Sequence, residues 1–483
     1  MVFSPLRLLL VSESYLPDYS LGSTLYAHAL ATALAERHQV EVWARTADPA
    51  RPELFQTRHE LDGIAVTLIN RRAPAFPQRF SLEHRDPALE QLFADRLAAG
   101  RYDLVHFLHT LNLSAGLIPA ARRAGTAAVA MLHDYWYLCH RIVLLDYLDR
   151  RCPPHQYADG ARCLFCAFHR RRQLGLAPGS TEPPLMKVLL RLAGAMVRPS
   201  RPALALLAKV ARRLQRAAAP EPDAAGATAA AAALLYRPRW MREALLGAQR
   251  WIAFSPHVVE HYQRLGLPRD RFRVLPPGVL PGLARRSEPP AAPPWVLGYI
   301  GGLLPAKGLL LLIEAARKLA QDPRRANTFA IELHGGPLDS AFASELRERA
   351  AGLPVAFAGP FGSAERARIL SRFHLLVLPS LSEETYSFSV REAQALGVPA
   401  LVSDLPAQNL AVEPGRTGWT FRAADAQDLA RALAAILDRP DWIEQARRRL
   451  IEQPVPAFAA HVEAVEGVHA EALEELRRET PGG

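Results

Sequence analysis

Apolar residues in this chain come in short unbroken runs more often than in strict alternation. Residues 7–11 (RLLLV), 40–44, 64–69, 102–107 (YDLVHF) and 127–132 each read as a strand, the continuous apolar ones buried on both faces. Between them, 24–37 (TLYAHALATALAER) and 115–124 carry the spacing of helices with one apolar side. Strand and helix in turn predict a parallel sheet covered on both faces. The pattern stops after 132 and resumes with a helix at 240–248, a strand at 251–254 and a helix through 258–265. A stretch rich in Pro, Ala and Arg, 281–294, reads as a linker. A second series then opens at 295–300 (WVLGYI). Helices at 308–321, 340–351, 363–373, 389–396 and 426–437 alternate with strands at 329–334, 355–358, 375–378 and 400–402. A last helix is predicted at about 458–478. No fixed-period repeat points to a solenoid.

Length agrees with two units, since 483 residues exceed what one core usually holds. Hydrophobic residues at 49% and charged residues at 22% are the mix of a soluble globular protein. The net charge of +10 is concentrated: residues 170–250 hold fifteen Lys or Arg against four Asp or Glu, a net of +11. Within them, PPLMKVLLRLAGAMVRPSRPALALLAKVARRLQRAAA alternates apolar stretches with cations. That composition fits the interface of an anionic membrane surface, or a solvated helical insertion lying over its own domain. It has almost no aromatic residue to stack on bases, so no nucleic acid is expected. No apolar run reaches membrane-spanning length, and the first residues lack the features of a signal peptide. The expected localisation is cytoplasmic, peripheral on the inner face of the membrane if the basic segment docks there.

All four cysteines, Cys139, Cys152, Cys163 and Cys166, fall within 28 residues. Two readings stand side by side. Four thiolates ending in Cys-x-x-Cys suit structural zinc or an iron–sulfur cluster, or the four are redox-sensitive thiols.

The densest chemistry lies at 376–399, LVLPSLSEETYSFSVREAQALGVP. An apolar strand ends at Pro379-Ser380, a polar loop follows, and a helical pattern stops at Gly397. One helix through Glu384 and Glu392 would set them about 12 Å apart. A strand–loop–helix corner instead brings both carboxylates to the crevice where open α/β sheets bind ligands. Ser389-x-x-Glu392 also reads as a capping box.

This stretch resembles the donor-site motif of retaining glycosyltransferases of family 4, E-x-F-G-x-x-x-x-E-A-x-A-x-G-x-P. Ser387 stands in place of the middle glycine. Other segments carry the same resemblance. The loop from Tyr15 to Gly22 is similar to the N-terminal P-x-x-G-G-A-E loop, with Leu21 and Thr24 as departures. Gly301-Gly302-Leu-Leu-Pro-Ala-Lys307-Gly308 resembles G-R-L-x-x-x-K-G, with Gly302 in place of arginine. His133-Asp134-Tyr135-Trp136 resembles an H-D-x-W-like segment, and His106 and His109 are further candidates for the cleft. Leu333-His334-Gly335-Gly336 offers glycines after a strand, and the loop after Ser403-Asp404 departs from the pattern at Gln408.

The resemblance implies a GT-B fold: α/β, with two Rossmann-like doubly wound parallel-sheet domains facing across a cleft. The N-terminal, acceptor-side domain is expected at 1–280, with a cysteine loop at 139–166 and a basic insertion at 170–236. The linker 281–294 leads to a nucleotide-sugar-binding domain at 295–455, and a helix within 456–483 packs back on the first. The implied activity moves a sugar from a nucleotide diphospho-sugar to a glycan, lipid or other acceptor, a lipid-linked one included, with retention of anomeric configuration. Its implied catalytic residues are His133, Glu384 and Lys307. Its implied donor-binding residues are Gly22, Gly301, Lys307, Gly335, Glu384, Ser387, Phe388 and Glu392. No cofactor is required, since no Asp-x-Asp lies at a strand end and Lys307 with helix dipoles can face the diphosphate. Other classes lack their marks: no G-x-G-x-x-G follows a strand, and there is no Walker loop or G-x-S-x-G elbow. A turnover-free relative acting as a scaffold or regulator at a membrane, and a nucleotide-sugar epimerase, remain the alternatives.

Overall fold

A computed structural model describes residues 5–17, 22–74, 78–146, 149–152, 163, 166–167, 222–283 and 291–479. Most of the basic insertion, 170–221, and most of the linker, 284–290, lie outside the described residues, and so does the amphipathic basic run expected at a membrane. No described helix is long and apolar enough to cross a bilayer.

The strands among the described residues form two sheets. The first has the order β3-β4-β2-β1-β5-β6-β7-β8. Its members are β1 Arg7–Ser12, β2 Gln39–Thr46, β3 Gln56–Leu61, β4 Ile64–Asn70, β5 Leu104–Phe107, β6 Ala127–Leu132, β7 Arg250–Ala253 and β8 Phe272–Val274. The second has the order β11-β10-β9-β12-β13-β14. It comprises β9 Trp295–Ile300, β10 Phe329–His334, β11 Val355–Gly359, β12 Leu375–Leu378, β13 Ala400–Ser403 and β14 Gly418–Phe421. Every pairing is parallel except β3 with β4, a hairpin at the edge turning at Asp62-Gly63. Both sheets are the Rossmann-like α/β type expected, and each is the frame of one lobe.

The unbroken apolar runs work because each strand feeds two cores. In β1, Leu9 and Val11 enter one cluster while Leu8 and Leu10 enter the cluster on the opposite face. In β6, Ala128 and Ala130 face the first cluster and Ala127 and Val129 the second. Small side chains on that second face leave room for the helix Phe458–Glu479, whose Phe458, Val462, Val465, Val468 and Ala472 complete the cluster. This C-terminal helix therefore lies on the first sheet, although it follows the second in sequence. The second sheet has a core of its own.

Several elements differ from the sequence expectation. The edge strand β3 carries no apolar alternation, and its charged and polar residues are half-exposed. Two helices, Arg79–His84 and Pro87–Gly100, occupy a stretch to which the sequence reading assigned no element; Asp86 caps the second through its side chain to Leu89 N, ahead of Pro87 at the first turn. The helix expected at 240–248 runs from Pro222 to Leu245, so it takes in the end of what read as insertion.

Candidate active site

The turn Pro305–Lys307 follows β9, and Gly308 then takes a left-handed conformation at φ 68°. A Cβ at Gly308 would sit 1.8 Å from the Pro379 carbonyl oxygen, so only glycine lets the turn lie against the end of β12. That approach places Lys307 beside the loop 380–387. Its Nζ donates to Glu384 Oε1 at 2.7 Å. Ser380 Oγ donates to the same oxygen and Ser387 Oγ to Oε2, each at 3.2 Å. Both oxygens of the Glu384 carboxylate are thus fixed, and Ser387, where the motif has glycine, is one of the groups fixing them. Below them Tyr299 donates to the Gly302 carbonyl at 2.7 Å, and burial together with the Glu384 charge keeps it a neutral phenol.

Glu392 lies on the helix Phe388–Ala395, 5% exposed, and accepts from Arg366 Nη1 at 2.6 Å. Burial pushes its carboxyl up, and the Arg366 guanidinium pulls it back down. It caps nothing: the residue before this helix is Ser387, with no side-chain cap bond. The two carboxylates of the motif are therefore held by different cations. Gly335, at φ 142°, packs on the backbone of the other glycine turn, since a Cβ there would meet the Gly301 oxygen at 1.8 Å. Gly22 is the exposed first residue of the helix Gly22–Ala35. Phe388 turns toward the first lobe, its ring against Tyr26, Phe254 and Tyr386.

His133 follows β6, its ring 4.7 Å from that of His109. Burial and the charge on His109 hold His133 neutral. His109 is 1% exposed and lies between two acids, Nε2 at 3.1 Å from Asp134 and Nδ1 at 3.4 Å from Glu13. Burial opposes its charge, but the two carboxylates outweigh that and raise it to about 10. Asp134 is correspondingly held at about 2, against its own desolvation. His109, His133 and Asp134 offer ligand atoms within 4.8 Å of one another. Asp134 and Glu13 flank the two nitrogens of His109, and Nδ1 also lies 3.3 Å from the Leu111 N–H. His106 does not line the cleft: it is fully buried on the other face of the sheet, 3.0 Å from His469 of the C-terminal helix.

The loop 383–386 is fastened to the first lobe residue by residue. Glu383 accepts from His261 at 2.7 Å and also from Arg151. The Glu384 carbonyl accepts from His257 Nε2 at 2.9 Å and from Tyr135 at 3.4 Å. Thr385 donates its hydroxyl to the His133 carbonyl and accepts from Ser255 Oγ at 2.6 Å. Tyr386 donates to the Gly278 carbonyl at 3.1 Å. Of the residues expected at the site, Lys307, Glu384 and Ser387 touch directly, and Thr385 ties the same loop to His133. Sequence reading missed Ser380, Arg366, His257, Glu383 and Glu13. Glu383 and Ser380 had local signals, the one beside Glu384 and the other four residues before it at the strand end; Arg366, His257 and Glu13 are joined by contacts that skip tens of residues. Gln408, singled out as a departure, is fully buried, with neither amide atom hydrogen-bonded among the described residues.

Two family models match the chain. The one described as Glycosyltransferase Family 4 covers residues 22–166, and the one described as Glycosyl transferases group 1 covers 294–439. The chain is 31% identical over 207 residues to a D-inositol 3-phosphate glycosyltransferase of Geodermatophilus obscurus, a match spanning 40% of this chain and 45% of that protein. A D-inositol 3-phosphate glycosyltransferase of Nocardia farcinica is 30% identical over 236 residues, 46% of this chain and 52% of its own. The matched stretch thus spans about half the length of these relatives. In structure, sucrose-phosphate synthase of Thermosynechococcus elongatus superposes with a TM-score of 0.59 at 18% identity, covering 98% of each chain. HepE of Anabaena in complex with UDP does so at 0.58 and 15% identity, over 96% of this chain and 100% of that one. At such identities the likeness speaks to the fold. Matched by one model on each lobe, the chain belongs to the family 4, group 1 glycosyltransferases and has their GT-B fold.

Proposed function

We propose that this chain transfers a hexose from a nucleotide diphospho-sugar to an acceptor with retention of anomeric configuration. One observation carries the reading: the Lys307 ammonium and the Glu384 carboxylate meet at 2.7 Å, on a loop bonded to the backbone of His133 across the cleft. Lys307 at the end of a helical turn supplies the positive charge that a departing nucleoside diphosphate requires. Glu384, fixed at both oxygens, presents acceptors to sugar hydroxyls and orients the ring. Glu392, held by Arg366, is placed for the ribose hydroxyls. His133, a neutral imidazole, faces the position where donor sugar and acceptor meet. Binding and charge stabilisation carry the rate in such a scheme, and no step needs a metal. HepE crystals hold UDP-glucose, which makes uridine donors the first to try. The acceptor is a glycan, a lipid-linked sugar or a polyol phosphate of the kind named for the relatives.

The test is a thermal-shift screen with UDP-, GDP- and ADP-sugars, followed by turnover with the donor that binds. One donor raising the melting temperature and yielding a product with the donor's anomeric configuration is the expected result. No shift with any donor, or an inverted product, refutes the proposal.

A further inference from the structure

Glu13, His109 and Asp134 come from three neighbouring strands. Glu13 directly follows β1, while His109 and Asp134 each lie two residues past the ends of β5 and β6. These strands run parallel and side by side, so their carboxyl ends set the three residues in one crevice. The second lobe reaches the same place, since Thr385, next to Glu384, donates to the His133 carbonyl. His109 is the brace. Its Nε2 lies 3.1 Å from both oxygens of Asp134, and its Nδ1 lies 3.4 Å from Glu13 Oε2. Asp134 Oδ1 also accepts from the Trp136 N–H at 2.8 Å. The His109 ring is sealed, whereas the side chains of Glu13 and Asp134 stay 17% and 23% exposed. A ligand in the crevice therefore meets the outer edges of two carboxylates, and not the cation between them.

Both the chemistry and the charge of these groups constrain that ligand. An ionised carboxylate accepts and cannot donate, so its partner must bring O–H or N–H groups. Counting His109 as a full positive charge, two carboxylates and one imidazolium still leave one net negative charge. His133 beside them is neutral by burial. Among the described residues no Lys or Arg pairs with Glu13 or Asp134, and Lys307 across the cleft is taken up by Glu384. An uncharged ring rich in hydroxyls meets both conditions. A phosphate meets neither, because its oxygens chiefly accept and its charge has the same sign.

We propose that Glu13 and Asp134 bind hydroxyls of the acceptor, and that the ring receiving the sugar is an uncharged sugar or polyol bearing no phosphate. This rests on the sugar-transfer reading, and among the acceptors open to that reading it selects the uncharged ones over a polyol phosphate. In the step itself the acceptor oxygen bonds to the sugar as the bond to the diphosphate breaks. The hydroxyl proton leaves with the departing diphosphate. The two carboxylates orient the O–H and stay ionised throughout.

The test supplies the full chain with the donor that stabilises it and with matched probes: myo-inositol against myo-inositol 1-phosphate, and D-glucose against glucose 6-phosphate. Within each pair the neutral probe is expected to have the higher kcat/KM by at least about tenfold. Equal or faster transfer to the phosphorylated probe, or transfer to none of the four, overturns the proposal. E13Q and D134N each remove one charge and keep the side-chain shape. Both are expected to raise KM for the neutral probe and to shrink the preference toward parity, while the donor still raises the melting temperature as in the parent. A merely structural role would leave that preference where it was, so an unchanged preference in both variants also overturns the proposal. Should neither variant fold, the parent's preference decides alone. A donor that binds, with phosphorylated probes favoured, sinks this inference and leaves the transfer reading standing. No donor binding at all sinks the reading, and this inference with it.

Discussion

At Glu384 and Lys307, two residues 77 positions apart meet as an ion pair at 2.7 Å. Removing one oriented cation from a site that stabilises a leaving group typically lowers the rate a hundredfold or more. K307A is therefore expected to lose at least about a factor of 100 in kcat while keeping its circular-dichroism spectrum; a kcat within a few-fold of the parent would refute the role. Glu392 presents a different balance. Its carboxylate is almost wholly buried, and Arg366 is what makes its charge tolerable. Deleting one partner of such a pair strands the other, which costs about 3 kcal/mol. R366A should show that loss in urea unfolding, and the neutral pair R366M/E392Q should recover part of it.

Among elements, the C-terminal helix Phe458–Glu479 is docked through neutral histidines. Tyr26 pairs with His461 at 2.7 Å, and His469 sits against His106. Burial pushes His461 down to about 4 and His469 to about 3, from an ordinary 6.5. Because the unfolded chain takes up these protons first, their neutrality favours unfolding as pH drops below 6.5 and most steeply before 4. Urea midpoints should fall between pH 7 and pH 4.5, with the helix 458–479 losing hydrogen-exchange protection early. In H469L that acid slope should be shallower, and an unchanged slope would show that the histidine is not responsible.

For the whole molecule, the loop 383–388 is where the lobes join, by side chains on backbone carbonyls and by Tyr386 and Phe388 against Tyr26 and Phe254. Each such aromatic pair adds about 1 kcal/mol beyond area burial. Glu383 makes this joint pH-sensitive. Desolvation raises its carboxyl, but His261 and Arg151 outweigh that and hold it at about 2, below the ordinary 4.5. A depressed carboxylate contributes stability above 4.5 that disappears as pH falls through about 2. The melting-temperature gap between the parent and E383Q should be widest above pH 4.5 and close toward pH 2. A gap independent of pH would mean that the pairing is not ionic.

Both sheets could be read from the chain because buried parallel strands need continuous apolar runs and their covering helices need one apolar side, and both patterns are local. The same holds for Lys307-Gly308 and the loop after β12, where glycines and polar residues follow strand ends. The edge strand β3 was illegible for the converse reason: pairing on one side only, with exposed side chains, leaves no pattern. Sequence alone determined the class of fold and nominated Glu384, Lys307 and His133. Tertiary structure decided that Ser380 and Ser387 hold Glu384, that Arg366 answers Glu392, that His109 stands charged between two acids while His106 is sealed under a helix, and that Arg151 reaches Glu383. Those outcomes depend on which distant side chain shares a buried place of low dielectric, and a charge or proton settles there by its neighbours in space.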